Sequence, residues 1–276
     1  MLRGGGRQVL LIAPAAAGAA IVGTGSSEAH ELFAWERPEI AALFAEEAPP
    51  PAGLRERLAA VDLAVVYSRS AALVRGLQSL VAQVAAHDPT PAAGVHASRW
   101  LLRPLEALGF RPTGDPEPIR PTAPETAEAR RFSSSLPAGF LAVHPGSGSP
   151  RKNWPADRFA ALLDTVAPRA PFLLVEGPAD AEAVAVLRRR PGAVVAHGLP
   201  PRMLGAVLSR AGVFIGHDSG VSHLAAAWGT PTVALFGPTD PAVWAPLGPR
   251  VAVVRAPGGS MAELEVAPVA AACRPT

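Results

Sequence analysis

The residues best suited to bind an anion lie in segment 212–241, GVFIGHDSGVSHLAAAWGTPTVALFGPTDP. A short apolar run ends at Gly216, and a polar turn with Asp218, Ser219 and Gly220 follows it. An alanine-rich stretch and a second apolar run come next, a pattern typical of a strand, a helix and a parallel strand. The first N–H groups of such a helix have no partner within the helix, and the macrodipole favours negative charge there. The turn is therefore predicted to hold a diphosphate.

The side chains of this turn have separate predicted roles. Asp218 and Ser219 can both cap the helix, and Gly220 lets a ligand approach the backbone in a turn that can require a positive φ. His223 falls on the first helical turn, where its imidazole can face the same anion; the alternative is a histidine satisfied within the core. His217 is interpreted as a structural residue.

A second anion-binding loop is predicted in residues 144–155, HPGSGSPRKNWP, directly after an apolar run. Its glycine and serine residues can present backbone amides and hydroxyls, and Arg151 and Lys152 supply positive charge. The alternative is a solvent-exposed loop with incidental basic residues. Basic side chains without a carboxylate cluster favour phosphate held without a metal.

A third loop, residues 175–182, follows another apolar run and contains acidic residues. An acidic residue soon after a strand can accept hydrogen bonds from ribose hydroxyls, and Asp180 is the best candidate, with Glu176 and Glu182 behind it. A helix N-cap role for Asp180 is the equal alternative.

Composition limits the classes of protein that the chain can belong to. In 276 residues, 49% are apolar and 17% are charged, so the chain can build a sizeable core of one or two domains. The net charge of +2 gives no argument for nucleic acid or for an anionic membrane. One cysteine, Cys273, excludes an internal disulfide. No apolar run approaches the roughly 20 residues that span a bilayer.

Apolar periodicity predicts alternating strands and helices, as in a parallel doubly wound sheet. In the first half, strands are predicted at 8–13, 31–35 and 63–67, and helices at 39–46, 54–60, 71–85 and 97–109. Residues 111–137 are rich in proline and predict a linker with one short helix, 125–132. In the second half, strands are predicted at 140–144, 172–176, 193–196, 213–216, 232–236 and 251–254, and helices at 156–166, 180–190, 201–210 and 221–228.

Residues 144–155 and 216–248 resemble the family 9 glycosyltransferases, which include the ADP-heptose:lipopolysaccharide heptosyltransferases. The resemblance implies an α/β fold of the GT-B type, with two Rossmann-like domains whose parallel sheets face a cleft. It implies an N-terminal acceptor-side domain at 1–112, a linker at 113–138 and a C-terminal nucleotide-sugar-binding domain at 139–276. The similarity is specific in the second half of the chain and looser in the first.

The resemblance also assigns residues to the donor. Ser147 and Lys152 would contact its phosphates, Asp180 its ribose, and Met203 or Leu204 would border its base. The diphosphate-binding turn would consist of Asp218, Ser219, Gly220 and His223.

Members of this family invert the anomeric centre without a metal, with an aspartate of the first domain as general base. That aspartate lies in a Gly-Asp loop after an initial strand, whereas this sequence begins with residues similar to the following helix and second strand. A secretory signal is the competing interpretation of the same residues. Without the loop, we expect donor binding with slow or no transfer, and Glu28, Glu31 and Asp88 are the substitute bases to consider.

The resemblance therefore implies a cytoplasmic glycosyltransferase that moves a sugar such as heptose from a nucleotide-diphosphate donor similar to ADP-heptose. The acceptor would be a saccharide or glycolipid such as lipopolysaccharide core; no cofactor and no nucleic acid are expected, and peripheral contact with the inner membrane is open. The alternative is a catalytically impaired, nucleotide-sugar-binding relic of such an enzyme. A two-domain sugar-nucleotide epimerase is a third hypothesis, for which no acid–base residues are identified.

Overall fold

The structure is a computed structural model that describes residues 8–23, 25, 28–45, 49–111, 117–177 and 180–273. Part of the predicted linker (112–116) and two residues of the third loop (178 and 179) lie outside these ranges. The described residues form two compact units. The first takes those of Met1–Gly18 and Ala29–Gly114, and the second takes those of Ala19–Glu28 and Asp115–Thr276.

The first unit contains two pairs of parallel strands. β1 (Leu10–Ala13) pairs with β2 (Glu31–Ala34), and β3 (Leu63–Tyr67) pairs with β4 (Gln83–His87). Its described helices are α1 (Ala15–Gly18), α2 (Pro38–Ala41), α3 (Ala52–Ala59), α4 (Ala71–Gln78) and α5 (Ala97–Ala107). Aliphatic side chains from these strands and helices form one core cluster.

The predicted helix 71–85 is wrong in its second half. α4 ends at Gln78, and residues 83–87 form β4, which pairs in parallel with β3. Leu73 and Leu77 are buried at helical spacing, and Val84 continues that spacing in the sequence although it lies on a strand. Pairing with β3 therefore outweighs the helical preference of an alanine-containing segment, as tertiary context often does.

The second unit is built on a six-stranded parallel sheet with the order β10–β9–β8–β5–β6–β7. Its strands are β5 (Leu141–His144), β6 (Phe172–Glu176), β7 (Ala193–His197), β8 (Val213–His217), β9 (Thr232–Phe236) and β10 (Val251–Arg255). Its described helices are α6 (Ala123–Phe132), α7 (Ala156–Val166), α8 (Ala181–Arg188), α9 (Pro201–Leu208), α10 (Gly220–Ala227), α11 (Pro241–Trp244) and α12 (Val266–Ala272). All six predicted strands are confirmed, whereas α11 and α12 were not predicted.

Alternate residues of these strands enter two different core clusters, as expected for a sheet that is covered on both faces. On β6, Phe172 and Leu174 belong to one cluster, with buried side chains of α7, α8 and α12. Leu173 and Val175 belong to the other cluster, with buried side chains of α6, α9 and α10. Both faces of the sheet are therefore covered over its central strands, and its strand ends remain for a ligand.

Helix α6 belongs to the second unit, although its residues lie in the predicted linker. It begins with a capping box of Thr122 and Glu125, and its Ala129 is fully buried against α9. The Glu125 carboxylate accepts a 2.6 Å hydrogen bond from Arg202 Nε, which lowers the pKa of Glu125 to about 2. Arg202 also pairs with the buried Glu28 and thereby ties segment 19–28 to this unit. The division into acceptor-side and donor-side domains stays a prediction.

Leu187→Ala tests the core under the sheet. Leu187 is fully buried on α8, whereas its neighbour Val186 is about half exposed. We expect Leu187→Ala to lower the free energy of unfolding by about 2–5 kcal/mol, since it removes buried methyl groups and leaves a cavity. Val186→Ala is the matched control and should change it by less than about 0.5 kcal/mol. Denaturant unfolding monitored by circular dichroism measures both, and equal effects would contradict the assigned core.

Candidate functional site

The three predicted loops meet at one edge of the six-stranded sheet. They follow β5, β6 and β8, and these strands are neighbours in the order β8–β5–β6. From β5 the chain proceeds outward through β6 and β7, and it then returns to the other side of β5 with β8. The loops therefore lie at the topological switch point, beyond the carboxyl ends of the strands, where open α/β sheets bind ligands.

His217, at the end of β8, is hydrogen-bonded to the loop that follows β5. Its imidazole is fully buried, Nε2 accepts a 2.7 Å hydrogen bond from the N–H of Trp154, and Nδ1 lies 3.1 Å from the carbonyl oxygen of Gly146. Burial lowers the pKa of His217 to about 4, although the bond to Gly146 acts in the opposite direction. The neutral imidazole donates from Nδ1 and accepts at Nε2, and these bonds confirm the interpretation of His217 as structural.

Lys152 and Asp218 bring the two predicted anion-binding loops together. Lys152 Nζ lies 2.8 Å from Asp218 Oδ2, and both side chains are only partly exposed. Lys152 is the only lysine in the sequence, and the other basic side chains are arginines and histidines. Lysine offers a compact charge on a flexible stem, where arginine offers a rigid planar fork. Lys152, the cation between the loops, is therefore the only lysine ammonium of the sequence. This uniqueness is visible in the sequence, but our prediction did not use it.

Ser219 and Gly220 form the start of α10. Ser219 occupies the N-cap position with extended backbone, but its hydroxyl makes no capping hydrogen bond. Gly220 is exposed, and a Cβ added to it would meet no protein atom within 4 Å. The expectation of a positive φ in this turn is wrong for Gly220, which does not adopt one. Nothing within the described protein therefore requires glycine at this position, and open space lies above it.

His223 lies on the first turn of α10 and is exposed, so the alternative of a core histidine is wrong. Its backbone N–H bonds the carbonyl oxygen of Ser219 at 3.4 Å. The role of His223 toward an anion stays a prediction.

Ser147 stabilises the loop in which it lies. Its buried hydroxyl is 2.6 Å from Asn153 Oδ1 and 2.8 Å from the carbonyl oxygen of Ser149. Asn153 was not predicted, because an isolated asparagine in a loop has no distinguishing spacing. A ligand would have to compete for the Ser147 hydroxyl, and a direct phosphate contact stays a prediction.

Asp180 is buried and is turned toward β5. Its Oδ2 lies 2.7 Å from His144 Nε2 and accepts a 2.7 Å hydrogen bond from the N–H of Gly177. Burial would raise the pKa of Asp180, but the bonds and charge of these partners outweigh it and lower that pKa. Asp180 stands at the N-cap of α8 without a capping bond. The N-cap alternative is therefore not realised, and the contact with ribose stays a prediction.

His144 is a residue of this site that sequence reasoning missed. It ends β5, is buried, and places Nδ1 3.4 Å from the hydroxyl oxygen of Ser219. Asp180, His144 and Ser219 thus form a continuous polar chain across three strand ends. The position of His144 at the end of an apolar run, directly before a glycine-rich loop, could have indicated from the sequence that it belongs to the site.

The remaining predicted residues lie apart from this chain. Met203 is buried in the core cluster beneath α9, and Leu204 packs against that cluster, so a role beside the base stays a prediction. Glu176 binds Arg188 and His197, and Glu182 is exposed on α8. The three substitute carboxylates are in ion pairs, which join Glu28 to Arg202, Glu31 to Arg57 and Asp88 to Arg69.

Two broader expectations concern membrane-spanning helices and metal-binding groups. No described helix is long and apolar enough to cross a membrane. Within the same ranges, no three His, Cys, Asp or Glu side chains form a group that could hold a metal ion. Metal-independent chemistry stays a prediction.

The buried imidazole of His217 predicts a pH dependence of stability. Its native pKa is about 4, whereas an unfolded histidine titrates near 6.5. Between these values the unfolded chain binds a proton that the native chain lacks, so the free energy of unfolding should fall as pH falls, by roughly 3 kcal/mol in all. His217→Gln should remove this contribution, and His197→Gln, at an exposed histidine, should retain it. Denaturant unfolding from pH 7 to pH 4 tests this, and parallel curves for all three proteins would contradict it.

Comparison with known proteins covers most of the chain. Residues 59–270 match glycosyltransferase family 9 (heptosyltransferase). Lipopolysaccharide heptosyltransferase 1 of Escherichia coli O18:K1:H7 (strain RS218 / NMEC) is 30% identical over 149 residues, which are 52% of this chain and 46% of that protein. Lipopolysaccharide heptosyltransferase 3 of Escherichia coli K12 is 32% identical over 114 residues, 39% of this chain and 33% of that protein. The chain thus spans about half or less of the length of the curated relatives it matches.

Solved structures show the same fold. The glycosyl transferase family 9 protein of Veillonella parvula DSM 2008 matches with a TM-score of 0.76 at 19% identity, over 96% of this chain and 86% of that one. The ADP-heptose lps heptosyltransferase II of E. coli matches with a TM-score of 0.71 at 17% identity, over 96% and 88%. These similarities confirm the predicted α/β fold of the GT-B type. The match over residues 59–270 shows that this chain belongs to glycosyltransferase family 9.

Proposed function

We infer that this chain binds a nucleotide-diphosphate sugar at the carboxyl edge of its six-stranded sheet and transfers the sugar to a saccharide acceptor. ADP-heptose and a lipopolysaccharide core saccharide are the donor and acceptor that the relatives favour, since one solved relative is an E. coli heptosyltransferase with ADP. The observation that carries the proposal is the Lys152–Asp218 pair beside the N-terminus of α10, because it joins both predicted anion loops at the switch point.

The geometry supports stabilisation of a departing diphosphate. When the bond between the anomeric carbon and the phosphate oxygen breaks, negative charge develops on that oxygen. Lys152 Nζ, the first N–H groups of α10 and the Ser219 hydroxyl are all near the place where this charge would lie. The partial burial of Lys152 and Asp218 strengthens these interactions, because water screens them less.

The acceptor hydroxyl forms the new bond to the anomeric carbon and gives its proton to a base. We propose attack from the face opposite the diphosphate, which inverts the anomeric centre, and we propose that no metal takes part. The proton acceptor is not assigned to a residue. Donor binding and chemistry therefore rest on different groups, and the two can be measured separately.

The proposed function is tested by incubating the chain with ADP-heptose and a lipopolysaccharide core saccharide that lacks heptose. Mass spectrometry of the saccharide should show the addition of one heptose, and coupled detection should show stoichiometric ADP. Binding of ADP without either product would favour the alternative, a nucleotide-sugar-binding relic. Absence of both binding and turnover would refute the proposed site.

Lys152→Ala tests the phosphate contact. We expect ADP binding to weaken by about 1.5–3 kcal/mol, the range for hydrogen bonds to charged groups. Arg131→Ala is a matched control, because it also removes one positive charge, but from an exposed position on α6. Calorimetric titration measures both affinities, and an unchanged affinity of Lys152→Ala would remove this residue from the site.

The single lysine permits a second readout on the unmodified protein. A lysine-selective acetylating reagent can react with Lys152 and the N-terminal amine, since no other lysine is present. ADP should slow the acetylation of Lys152 and leave that of the N-terminal amine unchanged. Equal rates with and without ADP would show that the nucleotide does not cover Lys152.

Gly220→Val tests the open space at the start of α10. A valine fits the free protein, since an added Cβ meets no atom within 4 Å and φ is not positive. It should exclude the phosphate from the helix N-terminus and weaken ADP binding at least tenfold, about 1.4 kcal/mol. Gly53→Val is the matched control, because Gly53 also lies in the first turn of a helix and faces open space. If Gly220→Val binds ADP normally, the turn is structural and the anion site lies elsewhere.

A further inference from the structure

The proposed function uses the Ser219 hydroxyl, but it gives no role to His144 and Asp180, which continue the polar chain behind Ser219. Asp180 and His144 are each about 4% exposed, whereas Ser219 is partly exposed. Asp180 Oδ2 is 2.7 Å from His144 Nε2, and His144 Nδ1 is 3.4 Å from Ser219 Oγ. A buried histidine thus connects a buried carboxylate to a hydroxyl at the mouth of the phosphate site.

The partners of His144 determine which of its nitrogens carries a proton. The Asp180 carboxylate is ionised, because its pKa is lowered, and it can only accept hydrogen bonds. His144 Nε2 must therefore donate to Asp180. In the neutral imidazole, Nδ1 is then the acceptor and takes the hydrogen of the Ser219 hydroxyl.

Protonation of His144 would reverse this bond. Nδ1 then carries a hydrogen and donates to Ser219 Oγ, so the hydroxyl hydrogen of Ser219 is free to point away from His144. A phosphate oxygen accepts hydrogen bonds and cannot donate one when it is ionised. Ser219 can therefore donate to a phosphate without leaving Nδ1 of His144 unpaired only when His144 is protonated.

We propose that His144 is a positioning residue that couples binding of the donor diphosphate to proton uptake from solvent. This rests on the proposed function, because it requires the diphosphate to lie at Ser219. In it, Asp180 fixes the orientation of His144, His144 takes up the proton at Nδ1, and Ser219 turns its hydroxyl hydrogen to the phosphate. Asp180 would then act on the phosphate through His144 rather than on the ribose.

The charged and titratable groups around His144 are compatible with this coupling. From β8, His217 faces it as a neutral imidazole, because burial lowers the pKa of His217 to about 4. Asp180, at the start of α8, is the anionic partner of His144. Lys152 and Asp218, between the two anion loops, are paired with each other, so their charges offset one another. Glu176, at the end of β6, is engaged by Arg188 and His197. His223, on α10, is the other imidazole whose protonation a phosphate would favour, and a comparison of variants must separate it.

Proton uptake can be measured directly by calorimetric titration of ADP in two buffers of different ionisation enthalpy between pH 6 and 8.5. His144→Gln should take up fewer protons than the wild-type chain, by at most one per ADP bound. ADP and His223 contribute equally to both proteins and cancel in the difference. His197→Gln is the matched control, since it removes another imidazole at this sheet edge, and it should match the wild type. The ADP dissociation constant of the wild type should also rise more steeply with pH than that of His144→Gln.

Ser219→Ala provides a second variant, because it leaves the buried His144–Asp180 pair intact and removes no capping bond. It should lower the uptake in the same direction as His144→Gln, even if the latter variant folds poorly. Equal proton uptake in wild type, His144→Gln and Ser219→Ala would overturn the coupling. If that result accompanies ADP binding that depends on Lys152, the proposed function stands and only the inference fails. If the wild-type chain binds no ADP, both fail.

Discussion

The site depends on one buried imidazole with a hydrogen-bond partner on each side. His217 lies at the end of β8 and bonds the backbone of residues 71 and 63 positions earlier in the chain, Gly146 and Trp154. A neutral imidazole offers one donor and one acceptor at a fixed angle, so it fixes two points of a loop that has little regular structure. An unmade bond at either point would leave a buried polar group, at a cost of about 1–3 kcal/mol. Because this loop contains Lys152, the position of the cation beside Asp218 follows from these two bonds.

The loop after β5 is also confined from the side of β6. A Cβ added to Gly146 would overlap the Asp180 carboxylate, so the carboxylate can reach His144 only past a residue without a side chain. The glycines of this loop therefore differ in purpose. Gly146 makes room for protein atoms, whereas an added Cβ at Gly148 meets nothing within 4 Å. A single glycine-rich motif thus serves both internal packing and access from outside.

The sequence allowed much of the second unit to be predicted, for a physical reason. Strands of a parallel sheet that is covered on both faces are continuous apolar runs, such as Phe172–Val175, and these are easy to locate. The loops after them then follow by position. β4 was missed because Gln83–His87 is only partly buried, and only pairing with β3 distinguishes it from the end of a helix. Helix α6 was placed, but its attachment to α9 depends on Ala129, a side chain too small to mark a buried face in a sequence.

Within the site, the sequence indicated which residues lie close together but not which partners each of them binds. Residue types and strand ends predicted that Lys152, Asp218, Ser219 and Gly220 lie close together. The direction in which Asp180 turns could not be predicted, because a ribose contact, a helix cap and a bond to His144 all use the same carboxylate. The choice is made by burial, since a carboxylate with 4% exposure needs partners within the protein.

The ion pair of Glu28 and Arg202 also has a consequence for synthesis of the chain. These residues are 174 positions apart, and the carboxylate is buried in the native state. A ribosome that adds about 5–20 residues per second needs on the order of ten seconds or more to reach Arg202 after Glu28. Throughout that interval Glu28 lacks this partner, so its carboxylate cannot take its native buried position in the second unit before Arg202 has been made. A segment made early therefore joins the second unit only after a residue 174 positions later in the chain has been made.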